Sequence, residues 1–478
     1  MAASNELAIL QGVTGLTADS RAVKPGYLFA ALKGETADGR QFIPQAVQAG
    51  ASVILTDAAP ADDAPGDARL VLDTNPRRRL AELAAAFYGR QPTWIALVTG
   101  TNGKTSTVEF ARQIWAAQGL AAASIGTLGL TLPHGREGGS LTTPDPVSLA
   151  RLMAQLASNG IEHAAVEASS HGLAQERLSG IAATIGAFTS FSRDHLDYHK
   201  DERAYLDAKL RLFRDRLPAG SAAVIYADGK FSAEAVRVAK ARGLDLWSYG
   251  RKGDRLRLLD RRAMDGGQAL SLRIEGESYE VDLPLVGDFQ AENAIAALGI
   301  ALASGVEAEA AVAALAGLTT VDGRLQLAGR HASGAAVYVD YAHTPGALQA
   351  ALHALRPTTT GRLLVVFGAG GDRDHGKRPE MGRAAAQWAD ACIVTDDNPR
   401  SEDPAAIRAE IMTGCPDAVE IGSRAEAIEW VIGQLGAGDT LLIAGKGHEQ
   451  GQTIAGEVHP FDDVAHARKA LQRTEACV

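Results

Sequence analysis

Short apolar runs alternate with alanine-rich stretches of helical period along most of the 478-residue chain. That alternation predicts βαβ units and parallel sheets, hence an α/β fold. The runs Tyr27–Leu32, Ser52–Leu55 and Leu70–Leu72 read as strands of a first block. A helical stretch from Arg77 to Tyr88 follows, and Gly89-Arg90-Gln91-Pro92 reads as a linker. A second block opens on the strand Trp94–Val98, with a helix expected from Thr105 to Gln118. A further boundary is expected near Gly329–Gly334, ahead of strands at Val337–Val339, Leu363–Phe367, Cys392–Val394 and Leu441–Ile443. At roughly 150 residues per domain the chain accommodates three, here 1–90, 91–330 and 331–478. No internal repeat is evident, and Ala58–Asp67 reads as a solvated loop.

Composition narrows the class. A hydrophobic share of 46% and a charged share of 22% suit a globular protein. The net charge of -10 argues against nucleic acid or an anionic membrane as main partner. Cys392, Cys415 and Cys477 have neither metal-like spacing nor an even framework, which fits a reducing cytoplasm. No secretory signal and no apolar run of membrane-spanning length are apparent. The expectation is a cytoplasmic protein.

The polar residues lie where such a fold places its ligands. Open α/β sheets bind beyond the carboxyl ends of their strands, and here nearly every apolar run is followed at once by a polar or glycine-rich loop. The most informative is Thr99-Gly100-Thr101-Asn102-Gly103-Lys104-Thr105-Ser106. A strand, a glycine turn and a helix start form a phosphate cradle: backbone N–H groups and the positive helix end face the anion, and the lysine adds charge. The Thr105 hydroxyl is placed to hold magnesium. Val98 stands where the common form of this loop has its first glycine, so the match is to a shorter GTNGKT form. Further loops are Glu167–His171, Ser192–His195, Gly368–Asp374, Asp397–Arg400 and Gly445–Glu449. Two such rims suggest a cleft between domains.

Single residues carry competing readings. Glu167 ends an apolar strand, where a carboxylate is costly unless paired or bound to a cation; it suits magnesium or simply a solvated strand end. His195 lies in the titratable cluster Arg193–His199; imidazole is not a favoured magnesium ligand, and a hydrogen-bonded loop histidine is the alternative. If 201–216 is helical, the neighbours of Lys209 are Tyr205, Leu206, Leu212 and Phe213. A lysine on that face either snorkels or is buried with a depressed pKa, as a nucleophilic amine able to take up carbon dioxide. On the residues alone, snorkelling is the simpler reading. Arg373 and Arg400 follow strands and suit bidentate carboxylate contacts or surface ion pairs. With Glu449 they suggest a zwitterionic substrate.

Together these motifs resemble the Mur ligase family over nearly the whole chain. The markers are Thr99–Ser106, Glu167–Leu173, Arg193–His199, Asp340-Tyr341-Ala342-His343-Thr344-Pro345, Gly371–Pro379 and Asp397–Arg400. The resemblance implies a central P-loop-type parallel-sheet domain that binds ATP, a Rossmann-like C-terminal domain and an N-terminal domain for a UDP-substrate. It implies ATP-dependent amide ligation through an acyl phosphate, in peptidoglycan precursor synthesis, by a monomer. Gly100, Thr101, Asn102, Gly103, Lys104, Thr105 and Ser106 would bind ATP phosphates, and Asn293, Arg324 and Asp340 its adenosine end. Thr105, Glu167, His195 and Lys209 match magnesium positions, Lys209 as a carbamate. Ser20, Thr142, Thr143, Ser169, Gln175 and Arg177 would hold UDP-N-acetylmuramoyl-dipeptide. Arg373, Asp397, Asn398, Pro399, Arg400, Gly445 and Glu449 would hold meso-diaminopimelate.

The chain departs from the family pattern at Leu141, Ser190 and Gln290, each in place of a usual asparagine, and Glu35-Thr36 occupy a variable part of the uridine site. The competing readings are an L-lysine-adding relative, a folylpolyglutamate synthase and a catalytically silent nucleotide-binding scaffold. Asp19-Ser20-Arg21 argues against the second, and Lys104, Glu167, His195 and Lys209 against the third.

Overall fold

The computed structural model describes residues 2–34, 37–59, 66–138, 141–192, 194 and 198–475. Glu35-Thr36, most of the expected loop at 58–67, Arg193, His195–Asp197 and Cys477 therefore lie outside the described residues. The chain divides into two compact units, one of residues 1–258, 273–277 and 293–314, the other of 259–272, 278–292 and 315–478.

The first unit contains two sheets. Strands β1 (Gly15–Thr17), β2 (Tyr27–Ala30), β3 (Val53–Thr56) and β4 (Arg69–Leu72) form a parallel sheet in chain order. The helix Pro76–Tyr88 buries Leu80 and Leu83 against it. Asn75 caps that helix, and Pro76 sits where a missing N–H costs nothing.

The larger sheet of this unit has β5 (Trp94–Thr99) near its middle. Around it lie β6 (Ala122–Gly126), β7 (Gly129–Leu132), β8 (Gly135–Glu137), β9 (His163–Glu167), β10 (Ile185–Phe188), β11 (Ala222–Tyr226) and β12 (Asp245–Gly250). Their order is β12-β11-β10-β5-β9-β6-β7-β8. It is parallel from β12 to β6, and β7 and β8 add antiparallel strands. Both faces of β5, β9 and β10 are covered, which explains their unbroken apolar runs. The strands β13 (Leu256–Met264), β14 (Gly267–Ile274) and β15 (Glu277–Leu283) are divided between the two units.

The second unit is built on a six-stranded sheet. Its members are β16 (Gln326–Arg330), β17 (Ala336–Asp340), β18 (Leu363–Phe367), β19 (Ala391–Val394), β20 (Val419–Glu420) and β21 (Thr440–Ala444), in the order β16-β17-β21-β18-β19-β20. Only β16 runs antiparallel. It forms a hairpin with β17, and the turn of that hairpin occupies the stretch 331–335. Helices cover both faces of the sheet and bury two apolar clusters, one around Leu352, Phe367 and Met381, the other around Val366, Ile428 and Ile443. A small hairpin of β22 (Gly451–Ile454) and β23 (Glu457–Pro460) completes the unit.

The expected helix 201–216 is shorter than the sequence suggests. The α-helix covers Glu202–Arg211, and Leu212–Arg216 widen into a π-turn. Such turns frequently occur beside functional sites.

Candidate functional site

In the first unit, β5 delivers Thr99 and Gly100 to the start of the helix Lys104–Ala117. Gly103 is that helix's N-cap with φ 86°, a left-handed conformation that glycine adopts without penalty. Gly103 itself has no side chain with which to cap the helix. The loop is fastened from the β10 side. Thr101 Oγ1 donates to Ser192 O at 3.1 Å and accepts from Ser192 N at 3.0 Å. Asn102 N donates to Ser190 Oγ at 3.0 Å, and Thr189 Oγ1 donates to Asn102 O at 2.6 Å. Lys104 Nζ donates to the carbonyls of Gly100 and Thr101 at 3.0 and 2.9 Å. A Cβ on Gly103 would lie 2.2 Å from Asn293 Oδ1, which places Asn293 against the loop.

Lys209 is fully buried. Its Nζ donates to Gly100 O at 2.7 Å and lies 4.3 Å from the centre of the Tyr205 ring. Burial holds its pKa well below the usual lysine value, with Lys104 adding repulsion. Snorkelling, the simpler reading of the sequence, is thereby overturned: Tyr205, Leu206, Leu212 and Phe213 are buried along with it, and the amine points inward to the loop.

Glu167, at the end of β9, is fully buried and pairs in register with Val98 of β5. It is therefore not a solvated strand end. Its Oε1 accepts from Thr127 N at 2.8 Å and its Oε2 from Thr127 Oγ1 at 3.3 Å. Thr105 and Glu167 line the same small cavity of about 10 Å³, together with Gly126, Ser124 and Glu109. A hydroxyl and a carboxylate facing one water-sized space form an oxygen donor set suited to a magnesium ion. His195, the third expected ligand, lies outside the described residues.

The residues expected to hold the dipeptide substrate are connected to this carboxylate. Thr142 Oγ1 lies 3.2 Å from Thr127 Oγ1. Thr143 Oγ1 donates to Glu167 O at 2.8 Å and sits 3.0 Å from Ser169 Oγ. Ser169 caps the short helix Ser170–Ala174 through Gly172 N. Arg177 Nη1 donates to Thr143 O at 2.8 Å and Nη2 to Gln175 Oε1 at 2.7 Å. Ser20 opens the short 3-10 turn Ser20–Ala22 between β1 and β2, where its hydroxyl donates to Gln45 Oε1 at 3.4 Å.

The second unit gathers its own set at the ends of β17, β19 and β21. Asp340 is buried and accepts from Leu325 N at 2.7 Å, and burial raises its pKa to about 6. The Arg324 guanidinium lies 4.8 Å from the centre of the Tyr341 ring. Asn398 Nδ2 donates to Glu449 Oε2 at 2.9 Å, and Asn398 Oδ1 accepts from Lys446 Nζ at 2.9 Å and Thr453 N at 2.9 Å. Gly445 is packed against Asp397, since a Cβ there would stand 2.4 Å from Asp397 Oδ2. Arg400 follows Pro399 with φ 52°, and its Nη1 donates to Gly371 O at 2.6 Å. Arg373 is exposed on the neighbouring loop.

Some contributors were not singled out from the sequence. Thr127 is the carboxylate's partner, and its only signal is its place after a strand end. Thr189, just past the β10 run, and Tyr205, on the helix Glu202–Arg211, fasten the loop through Asn102 O and Thr101 Oγ1. Lys446, wholly buried beside Asn398, lay in a motif read for its neighbours.

A glycine loop between a parallel strand and a helix that starts on glycine, backed by a buried lysine and carboxylate, defines a phosphate-loop α/β protein. Family models match three stretches: the Mur ligase family catalytic domain over 12–88, the Mur ligase middle domain over 98–301 and the Mur ligase glutamate ligase domain over 323–447. The UDP-N-acetylmuramoyl-L-alanyl-D-glutamate–2,6-diaminopimelate ligase of Rhizobium meliloti is 51% identical over 459 residues, covering 96% of this chain and 94% of that protein. The protein of the same name from Brucella melitensis is 52% identical over 461 residues, covering 96% and 94%. A solved structure of a UDP-N-acetylmuramoyl-L-alanyl-D-glutamate–2,6-diaminopimelate ligase matches with TM-score 0.73 and 34% identity, over 97% of this chain and 95% of that one. The chain belongs to the Mur ligase family, with its three-domain α/β architecture. Among the described residues, no helix is long and apolar enough to cross a membrane.

Proposed function

We propose that this protein joins meso-2,6-diaminopimelate to UDP-N-acetylmuramoyl-L-alanyl-D-glutamate at the expense of ATP, in the cytoplasm and as a monomer. The observation that carries this reading is near-full-length identity of about half to relatives of that name. The loop, Lys209, Glu167 and the arginine-bearing loops of the second unit give it chemical content. Residues 1–90 are assigned to the UDP-substrate, 91–330 to ATP and 331–478 to the amino acid.

In this reading the D-glutamyl carboxylate attacks the γ-phosphorus of ATP, and ADP leaves. The amine of diaminopimelate then attacks the acyl phosphate's carbonyl carbon, loses a proton and expels phosphate. The amides of 100–106 and Lys104 hold and neutralise the transferring phosphoryl. Asn293, Arg324 and Asp340 are assigned to the adenosine end. Thr142, Thr143, Ser169, Gln175 and Arg177 orient the dipeptide, whose network ends on Glu167. Magnesium would be held by Thr105 and Glu167, with His195 and carbamylated Lys209, and supplies neutralisation of phosphate charge. Arg373 and Arg400 are assigned to the carboxylates of diaminopimelate and Glu449 to its distal ammonium, with Asp397, Asn398, Pro399 and Gly445 holding the same amino acid.

The test is phosphate release from ATP with the UDP-muramoyl-dipeptide, offering meso-diaminopimelate or L-lysine. Release with diaminopimelate and little with lysine is expected. The reverse preference would assign the protein to the lysine-adding chemistry.

A further inference from the structure

The loops carrying Arg373 and Arg400 are tied together by side chains that have no assigned contact with substrate. Arg373 directly follows Asp372, and Arg400 directly precedes Ser401. These two flanking residues are bonded to each other: Ser401 Oγ donates to Asp372 Oδ1 at 2.6 Å, and Ser401 N donates to Asp372 Oδ2 at 3.2 Å. Glu402 closes the tie from the other side, accepting from the backbone N–H of Asp372 and from Arg378 Nη2 at 2.8 Å.

Arg378 makes the tie rigid. Its side chain has no exposure, and Nη1 also donates to Glu410 Oε2 at 3.0 Å. An exposed ion pair contributes little, but removing one partner of a buried guanidinium leaves a costly unpaired charge. Asp372 and Arg400 both hold left-handed backbone, φ 53° and 52°. Non-glycine residues keep that conformation only where the surroundings over-determine it. At Arg400 the far side is supplied by β22, with Arg400 N donating to Thr453 O at 3.0 Å and Ala455 N to Arg400 O at 2.6 Å.

We propose that Asp372, Ser401, Glu402 and Arg378 form a latch that fixes the separation of Arg373 and Arg400, and so act as positioning residues for an amino acid with two carboxylates. The proposal rests on the diaminopimelate reading above. A substrate with two carboxylates a set distance apart needs two cations at a matching distance, whereas lysine, with one carboxylate, does not. Loosening the latch therefore weakens binding of the dicarboxylate amino acid selectively and leaves ATP and the dipeptide unaffected.

The test is steady-state kinetics of the full chain and its Ser401→Ala, Ser401→Thr and Glu402→Ala variants, varying each substrate in turn, with the Tm of each. Ser401→Ala is expected to raise the KM for diaminopimelate by roughly three- to tenfold, and Glu402→Ala by more. The KM for ATP and for the dipeptide should stay within about twofold, with the Tm of Ser401→Ala unchanged. Ser401→Thr, which keeps the hydroxyl, should behave as wild type. Parallel rises in all three KM values, or an unmoved diaminopimelate KM in folded Ser401→Ala and Glu402→Ala, would overturn the latch while the functional reading stands. A wild type that takes lysine in place of diaminopimelate would overturn the functional reading itself.

Discussion

Lys209 donates from Nζ to the carbonyl oxygen of Gly100 at 2.7 Å, placing a buried amine directly beneath the first glycine of the phosphate loop. Desolvation and the nearby Lys104 both disfavour its charged form. A chain that keeps such a residue sacrifices stability for chemistry.

Lys209→Met should therefore separate the two. Turnover should fall by about a hundredfold or more. Stability at neutral pH should hold or rise, because the folded-state pKa is depressed and the burial penalty, full below that value, is relieved only as pH climbs from it toward the ordinary 10.5. Raising the pH toward 10.5 should therefore narrow the gap between variant and wild type. In Lys209→Ala, added short carboxylic acids should restore part of the activity if the working form is a carbamate. Full activity in either variant removes Lys209 from the mechanism.

Gly126→Ala is the sharpest steric test of Glu167. A Cβ at position 126 would lie 2.1 Å from Glu167 Oε1, so the carboxylate must turn away from Thr127 and from the cavity it shares with Thr105. Activity should fall by at least about tenfold, and more magnesium should be needed for half-maximal turnover. An unchanged magnesium dependence would detach Glu167 from the metal.

Asp340 offers a test through pH. Its folded pKa of about 6 lies above the ordinary 3.8. The folded state therefore holds the extra proton between those values, and stability falls as pH rises from 3.8 to 6. At neutral pH the full penalty applies, an order of about 3 kcal/mol before relaxation. Asp340→Asn should raise the Tm at pH 7.5 relative to wild type, with the gain shrinking toward pH 4. Its KM for ATP should rise. A Tm difference independent of pH would contradict the raised pKa.

Arg400→Ala should raise the KM for diaminopimelate by roughly 30-fold or more, with the KM for ATP nearly unchanged. Appreciable use of L-lysine by the wild type would show that Arg400 is not the selector.

The strands bordering the site were legible because burial on both faces leaves a parallel strand as an unbroken apolar run. Leu363–Phe367 ends in the structure where the pattern ends, and β5 extends its run by one residue to Thr99. The phosphate loop was legible because glycine, lysine and threonine have few other reasons to follow such a strand. The direction of Lys209 was not, since snorkelling and burial share one sequence pattern and only the contacts of its amine with Gly100 and Tyr205 decide between them. The π-turn at Leu212–Arg216 was equally hidden, because local spacing continues the helix. Thr127 was missed because its partner Glu167 is 40 residues away, and the tie of Ser401 to Asp372 because its halves sit in separate charged loops.

Ser190, which the sequence reading marks as a departure from an expected asparagine, has a hydroxyl that both donates to Asn102 O and accepts from Asn102 N, each at 3.0 Å. A hydroxyl and a carboxamide share the capacity to give and take a proton at once, whereas methyl or carboxylate groups do not. Position 190 therefore needs a two-way hydrogen bonder to fasten the phosphate loop, a demand that the serine meets.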